Sequence, residues 1–243
     1  VYVSLTLIQC KGMLDGNFLT FLLNTNYYQY LANRDQFAGG GVQNLNVQMV
    51  KGYPVSIPPL PEQIKIAEIL STWDNAINTV QKLLSNSQQQ KKALMQQLLT
   101  GKKRFAGFEG EWEEKRLGDI LCESKISSLT SSPTKRITIR LHLKGVEKRD
   151  FRGTESIDST AHFVRRKGQF IYGKQNFHKG AFGIIPDSLD YFESSQDLPA
   201  FDFIGSNCPR WFYYYFAREE VYAEFENLMS GTGSKRLNPK VFL

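Results

Sequence analysis

Between residues 61 and 99 the chain alternates apolar and polar positions with the period of a long helix. The apolar residues recur at alternating steps of three and four, which places them along one side of an α-helix. The main row is Ile66, Ile69, Trp73, Ala76, Val80 and Leu83, and the row beside it is Leu70, Ile77, Leu84 and Leu98. The pattern predicts a helix over 61–99, roughly 57 Å long at the usual rise per residue.

The ends of this predicted helix carry start and stop signals. Pro61 suits the first turn, where an N–H would have no partner, and Gly101 stands where a left-handed residue commonly ends a helix. A helix of this length with an apolar stripe and polar flanks is typical of a coiled-coil spacer. The residues expected to pair with another helix are Ile66, Ile69, Trp73, Ile77, Val80 and Leu84. The alternative is an ordinary amphipathic helix packed on its own domain.

The regions on either side of the helix have mixed patterns. Residues 1–60 begin with a strand-like alternation over 1–8, continue with an aromatic, helix-like stretch over 18–33, and end in a strand-like segment before a run of prolines. Residues 112–243 have more strand-forming residues, followed by a helix-like aromatic run over 211–225. Their predicted strands lie at 136–143, 161–164, 169–172 and 182–185. The expected fold class is α+β, with globular domains connected by a long coiled-coil helix.

An internal repeat relates the two globular regions. The matches share a constant offset of 192 residues: Gly41 with Gly233, Leu45 with Leu237, Asn46 with Asn238, and Tyr30 with Tyr222. The repeat predicts that the first copy lacks the counterpart of residues 112–192, and that the second copy stops before its own proline linker and helix. Two full units would contain on the order of 380 residues. We therefore expect the chain to be a middle part of a longer protein.

Composition and charge narrow the class of protein. Of the 243 residues, 41% are hydrophobic and 13% aromatic, which is typical of a globular protein. The formal net charge of +6 favours an anionic partner, and nucleic acid is the commonest such partner. Cys10, Cys122 and Cys208 are far apart and form no metal-binding pattern, so neither a disulfide framework nor a metal site is expected. The scattered cysteines favour a reducing compartment, so we expect a cytoplasmic protein. No apolar run is long enough for a membrane span, so no membrane contact is expected.

Two glycine-bounded loops in the second region carry side chains suited to DNA. In the 174–179 loop, Gln175 and Asn176 can form paired hydrogen bonds with an adenine edge, while the cations can contact phosphates. In the 231–236 loop, glycines permit close backbone approach beside Lys235 and Arg236. The predicted DNA-contacting residues are Lys174, Gln175, Asn176, His178, Lys179, Thr232, Ser234, Lys235, Arg236 and, in the first region, Gln43 and Asn44. The alternative for each loop is an ordinary solvated turn.

Other basic and aromatic clusters give weaker indications of DNA contact. The run Arg165-Arg166-Lys167 could follow a DNA backbone, although such runs more often form a solvated face. The aromatic block at 211–216 could stack on bases, but within a helix most of it should be core.

Motifs for catalysis are weak throughout. The three histidines are scattered, and no nucleophile motif accompanies them. Glu123-Ser124-Lys125 with Asp119 imitates a nuclease pattern, but the carboxylate of Asp119 lies too close in sequence for two neighbouring strands. The 231–236 loop lacks the spacing of a nucleotide-binding P-loop. We expect a non-catalytic chain.

Three segments resemble the specificity subunits of type I restriction–modification systems. These are Ile57-Pro58-Pro59-Leu60-Pro61-Glu62-Gln63 before the long helix, Gly231-Thr232-Gly233-Ser234-Lys235-Arg236-Leu237-Asn238, and Trp112-Glu113-Glu114-Lys115-Arg116-Leu117-Gly118. In that family two target-recognition domains alternate with two conserved helices, which pair antiparallel, and each domain contacts one half of a split DNA site. The resemblance implies the end of a first recognition domain at 1–60, the spacer helix at 61–100, a linker at 101–111, and a C-terminally truncated second domain at 112–243.

The resemblance also implies a function and partners. The function would be sequence-specific recognition of double-stranded DNA, directing adenine methylation and cleavage by methyltransferase (M) and restriction (R) subunits. This chain would hold no cofactor, since S-adenosylmethionine, ATP and magnesium would belong to those partners. It carries only one of the two helices, so self-association through that helix is a further expectation. The alternatives are a protein–protein adaptor whose basic charge is incidental, and a fragment of an enzyme whose active residues lie beyond the ends.

Overall fold

The computed structural model describes residues 7–10, 12–36, 45, 47–129, 132–151, 153, 161–231 and 234–243. The chain divides into two compact units, Val1–Gln88 and Gln89–Leu243, which we call unit 1 and unit 2. Most of the strand predicted over 1–8 lies outside the described residues, while Leu7 and Ile8 have no regular secondary structure.

The long helix, α4, comprises Leu60–Leu98 and agrees with the sequence prediction within one residue at each end. The carbonyl of Pro59 accepts hydrogen bonds from the N–H groups of Glu62 and Gln63 in the first turn. After the last turn, Gly101 adopts a left-handed φ of 71°, as the stop signal predicts. The unit boundary lies within α4.

Unit 1 packs short helices against the start of α4. The helices before α4 are α1 (Gly16–Leu23), α2 (Asn26–Gln36) and α3 (Val47–Lys51). Buried Phe18 and Leu19 of α1, with Tyr28 and Leu31 of α2, supply its apolar contacts. The hydroxyl of Tyr28 donates a hydrogen bond of 2.6 Å to the carbonyl of Pro54.

Two sequence predictions in unit 1 need correction. The helix predicted over 18–33 is divided at Asn24 and Thr25, where α1 ends and α2 begins. The strand expected before the prolines is wrong, because Val47–Lys51 form a helix and residues 54–59 have no strand partner. Proline lacks the N–H that a strand ladder needs, and three of those six residues are prolines.

Unit 2 is built on a four-stranded antiparallel sheet with the order β1-β8-β5-β6. Its strands are β1 (Leu121–Ser124), β5 (Phe170–Tyr172), β6 (Phe182–Ile184) and β8 (Ala200–Phe203). Two further antiparallel pairs join β2 (Ile137–Arg140) with β3 (Gly145–Lys148), and β4 (His162–Val164) with β7 (Glu193–Ser195). The register Tyr172↔Phe182 places the ends of β5 and β6 side by side, and the 174–179 loop connects them.

Most helices of unit 2 pack aromatic side chains against this sheet. They are α5 (Leu117–Ile120), α6 (Pro209–Phe216), α7 (Glu219–Tyr222), which continues into a 3-10 helix (Ala223–Leu228), and α8 (Pro239–Phe242). The ring of Phe170 on β5 meets the edge of Phe212 on α6 at 5.0 Å and stacks on Phe242 of α8 at 5.8 Å. Such rings bury large apolar areas, so the aromatic run is mainly core, as predicted. Trp211 and Tyr214 are its exposed members.

The order of helices agrees with the predicted internal repeat. In unit 1 two helices begin at Gly16 and Asn26, and in unit 2 the corresponding helices begin at Pro209 and Glu219. The five-residue helix that begins at Val47 corresponds to α8. For each of the three pairs, the distance between the two helix starts is within one residue of the 192-residue offset. Among the described helices, none is both long and apolar enough to cross a membrane.

Candidate nucleic-acid interface

The 174–179 loop is anchored at its centre and exposed around it. Phe177 is fully buried in the aromatic core, and a 3-10 helix (Phe177–Lys179) forms around it. The N–H of Lys174 donates to the carbonyl of Asp197 at 3.0 Å, and that of Asn176 donates to Gly173 at 3.1 Å. The residues on either side of Phe177 are therefore held in a defined conformation.

Gly180 ends this loop in a conformation that favours glycine. Its φ is 71°, and an added Cβ would lie 3.1 Å from the backbone nitrogen of Leu143 and 3.2 Å from its side chain. The N–H of Leu143 also donates to the carbonyl of Gly180 at 3.0 Å. The turn after β2 thus packs against the end of the loop, and only glycine fits there without displacement.

The two ends of the second candidate loop lie next to each other. Ser230 and Arg236 exchange backbone hydrogen bonds of 3.2 and 2.8 Å, which bring the two ends of the loop together. Leu237, directly after it, is completely buried and anchors the loop in the core. Ser234 and Lys235 are exposed on this loop.

The structure brings the two loops together, although about sixty residues of sequence separate them. The N–H of Leu237 donates to the carbonyl of Lys174 at 2.8 Å. Arg236 forms an ion pair of 2.9 Å with Asp197, whose carbonyl accepts from the N–H of Lys174. The described residues therefore place the two loops next to each other. We call this surface, residues 174–179 with 234–236, the paired-loop surface.

The predicted DNA-contacting residues differ in their exposure. Gln175, Lys179, Ser234, Lys235 and Arg236 are exposed, whereas Lys174, Asn176 and His178 are half-buried. The Nδ1 atom of His178 is buried and has no hydrogen-bond partner among the described residues. Thr232, Gln43 and Asn44 lie outside the described residues. Whether any of these residues contacts DNA stays a prediction.

One basic run differs from the solvated face that its composition indicates. Arg165 is only 1% exposed, while Arg166 pairs with Asp190 at 2.9 Å and its guanidinium lies 4.0 Å from the ring of Tyr191. The hydrogen bonds from the Lys167 N–H and from Arg166 lower the pKa of Asp190. Within this run, therefore, Arg165 is withdrawn from the surface and Arg166 is already paired. Nothing in the local sequence distinguishes Arg165 from its neighbours.

The apolar stripe of α4 is largely exposed along the middle of the helix. Ile69 is 51% exposed, Trp73 66% and Val80 64%, and Ile77 and Leu84 are similarly open; Ile66 is half-buried. Among the described elements of unit 1, none covers this stripe. A row of large apolar side chains this exposed is typical of a surface that contacts another molecule. Helix pairing through it stays a prediction.

Comparison with known proteins agrees with the resemblance seen in the sequence. Residues 4–86 match the family model described as "Type I restriction modification DNA specificity domain". A protein of Methanocaldococcus jannaschii named as a "type I restriction enzyme MjaX specificity subunit" is 29% identical over 122 residues, 45% of this chain and 28% of that protein. The "Type I restriction enzyme MjaVIII specificity subunit" of the same organism is 28% identical over 97 residues, 36% of this chain and 23% of that protein.

A solved structure gives a weaker likeness over more of the chain. It is described as a study of complex assembly and conformational transition of the type I R-M system. Its sequence identity is 17% and its TM-score 0.48, covering 95% of this chain and 58% of that one.

The family model and the curated relatives agree on one family. Residues 4–86 match the type I restriction–modification specificity domain, and the resemblance to type I specificity subunits is confirmed. The aligned regions span less than a third of the length of the two curated relatives.

Proposed function

We propose that the chain is a DNA-recognition part of a type I restriction–modification specificity subunit. The observation that carries the proposal is the hydrogen bond between Leu237 and Lys174, which joins two polar loops into one surface. Side chains from both loops are exposed there. The family match over 4–86 and the net charge of +6 support the same assignment.

The paired-loop surface divides DNA contacts into two kinds. The amides of Gln175 and Asn176 each offer a donor and an acceptor, the pair that an adenine edge in the major groove requires. Lys235 is a flexible point charge suited to phosphate, and Arg236 can contact phosphate or guanine. Arg236 would first leave Asp197, which costs little because exposed ion pairs contribute about 1 kcal/mol or less. Specificity would then come from the 174–179 loop and much of the affinity from 234–236.

The chemistry would belong to partner subunits. We propose that methyltransferase subunits modify adenine and that a restriction subunit cleaves the DNA, in the cytoplasm. S-adenosylmethionine, ATP and Mg²⁺ would bind to those partners, and this chain would be non-catalytic. The exposed stripe of α4 would pair with another helix, from a second copy of the chain or from a partner. Such a spacer is longer than one turn of DNA, about 34 Å, so it can separate two recognition surfaces.

Methylome sequencing of cells with and without the intact gene tests this function. We expect a bipartite motif containing methylated adenine that disappears when the gene is removed. A gene carrying Gln175→Ala should change the motif in one half only. A gene carrying Gln90→Ala, at an exposed position on α4, is the control and should leave the motif unchanged. Identical methylomes with and without the gene would contradict the proposal and favour the adaptor alternative.

A further inference from the structure

A cavity of about 230 Å³ lies in unit 2, next to the paired-loop surface. It is lined by four cationic side chains: Lys125, Arg165, Lys174 and Lys240. Glu123 is the one carboxylate in its lining, and Lys125 pairs with it at 2.8 Å. The cavity therefore has an excess of positive charge. It has room for several water-sized groups, since a water molecule occupies about 30 Å³.

Arg165 is a buried cation whose direct hydrogen-bond partners among the described residues are all neutral. Its Nε donates to the hydroxyl of Ser194 at 2.7 Å, while its terminal nitrogens donate to the carbonyls of Ser124 at 2.7 Å and Leu198 at 3.2 Å. All three acceptors are neutral. The carboxylates of Glu123 and Asp202 are close enough to attract Arg165 electrostatically, but neither forms an ion pair with it in the part of the chain that the structure describes. Burial lowers the pKa of Arg165 to about 10, so the side chain still carries its charge at neutral pH. A buried charge of this kind favours a nearby anion.

Ser124 adds a donor without a partner. The residue is 6% exposed, and its Oγ atom is buried with no hydrogen-bond partner among the described residues. It lines the same cavity, and its backbone carbonyl accepts the hydrogen bond from Arg165. Buried hydroxyl groups are normally hydrogen-bonded, so an unpaired one in a residue that lines a polar cavity is consistent with a ligand that accepts a hydrogen bond.

The two remaining cations of the cavity, Lys174 and Lys240, are also available to bind an anion. Lys240 is exposed, Lys174 is half-buried, and neither forms an ion pair within the described residues. Arginine and lysine only donate, and Ser124 has a proton to donate, so the matching ligand is an anion with several acceptor oxygens. A phosphate group has this chemistry.

We propose that this cavity is a phosphate-binding site, and that on duplex DNA it holds a backbone phosphate beside the bases contacted by the 174–179 loop. The DNA assignment rests on the proposed function, because Lys174 belongs both to the cavity and to that loop. A free phosphate ion offers the same chemistry, and the two sources require separate experiments.

The first experiment titrates inorganic phosphate into the full chain by calorimetry at constant ionic strength. We expect the wild type to bind, and Ser124→Ala and Lys240→Gln each to weaken binding about tenfold or more, because each removes a hydrogen bond to a charged group. Lys102→Gln removes the same charge at an exposed position outside the cavity and should have no effect. Arg165 is not substituted, since its loss would disturb folding. Ser124→Ala should leave thermal stability unchanged or raised, because its hydroxyl has no hydrogen-bond partner among the described residues.

The second experiment measures binding of the same variants, within an assembled complex with the partner subunits, to a duplex of arbitrary sequence over a range of salt concentrations. We expect Lys240→Gln to reduce the slope of log affinity against log salt by about one unit, with Lys102→Gln unchanged. Phosphate binding that depends on Ser124 and Lys240, with unchanged DNA binding, would overturn the DNA assignment and support a free phosphate. If the wild type binds DNA and no cavity variant alters the binding of either phosphate or DNA, the proposed phosphate site is wrong and the proposed function stands. If the wild type binds phosphate but no duplex, the DNA assignment and the proposed function both fail.

Discussion

The side chain of Gln63 accepts a hydrogen bond of 2.8 Å from the backbone N–H of Asp15. Its amide nitrogen donates to the carbonyls of Met13 at 2.9 Å and Pro58 at 2.8 Å. Gln63 is completely buried, and Asp15 caps α1 by accepting from the N–H of Phe18. One side chain therefore ties the start of the long helix to the start of α1 within unit 1.

Replacing Gln63 by Ala should destabilise unit 1. The substitution leaves the N–H of Asp15 and two carbonyls without their partner, which should lower the free energy of unfolding by about 2 kcal/mol. Urea unfolding followed by circular dichroism measures this change. Gln90→Ala makes the same chemical change at an exposed position of α4 and should have little effect. Equal losses for both variants would show that the buried hydrogen bonds contribute nothing.

Alanine substitutions at Gly180 and Gly168 distinguish the cost of backbone strain from the cost of a steric clash. Both have positive φ, 71° and 80°, but an added Cβ meets Leu143 at Gly180 and nothing within 4 Å at Gly168. We expect Gly168→Ala to cost about 1 kcal/mol from strain alone, and Gly180→Ala about 1–2 kcal/mol more from overpacking. Thermal unfolding of both variants tests this. Equal losses of stability in the two variants would mean that Leu143 moves aside at no energetic cost.

Charge on the exposed stripe of α4 should disrupt helix pairing. Val80→Asp would bury an unpaired carboxylate in the pairing surface and weaken assembly by several kcal/mol, about 3 or more. Asn78→Asp adds the same charge at an exposed position off the stripe and is the matched control. Sedimentation equilibrium of the chain, alone and with partner subunits, measures association. A wild-type chain that stays monomeric under all these conditions would refute the spacer hypothesis.

The residues of the paired-loop surface should differ in what they contribute to DNA binding. Lys235→Ala should weaken binding to all sequences alike and flatten the salt dependence by about one unit of slope. Gln175→Ala and Asn176→Ala should each cost roughly 1–3 kcal/mol on the cognate half-site only. Salt titrations of each variant, within an assembled complex, against cognate and scrambled DNA make the comparison. Equal losses on both DNAs for the amide variants would show that the 174–179 loop does not recognise bases.

Features that depend on local periodicity were predictable from the sequence. The limits of α4 follow from its repeating apolar positions and from Pro61 and Gly101, because helix formation and termination are decided over a few residues. Strands β5 and β6 and the helical aromatic run were also found near their predicted places. The division of the predicted 18–33 helix was missed, because neither proline nor glycine marks Asn24 and Thr25.

The 174–179 and 231–236 loops were identified from glycines and polar side chains, but their contact depends on tertiary structure. Leu237 reaches Lys174 only because the 174–179 loop closes β5 and β6 while buried Leu237 anchors the second loop in the same core. The cavity at Arg165 had no sequence signal, since its burial results from contacts with Ser124 and Leu198, distant in the chain. The sequence by itself determined the long helix, the repeat and the types of side chain available. Only the tertiary structure decided which cations are exposed, which are buried and which donors lack partners, because burial and hydrogen bonding depend on residues that folding alone brings together.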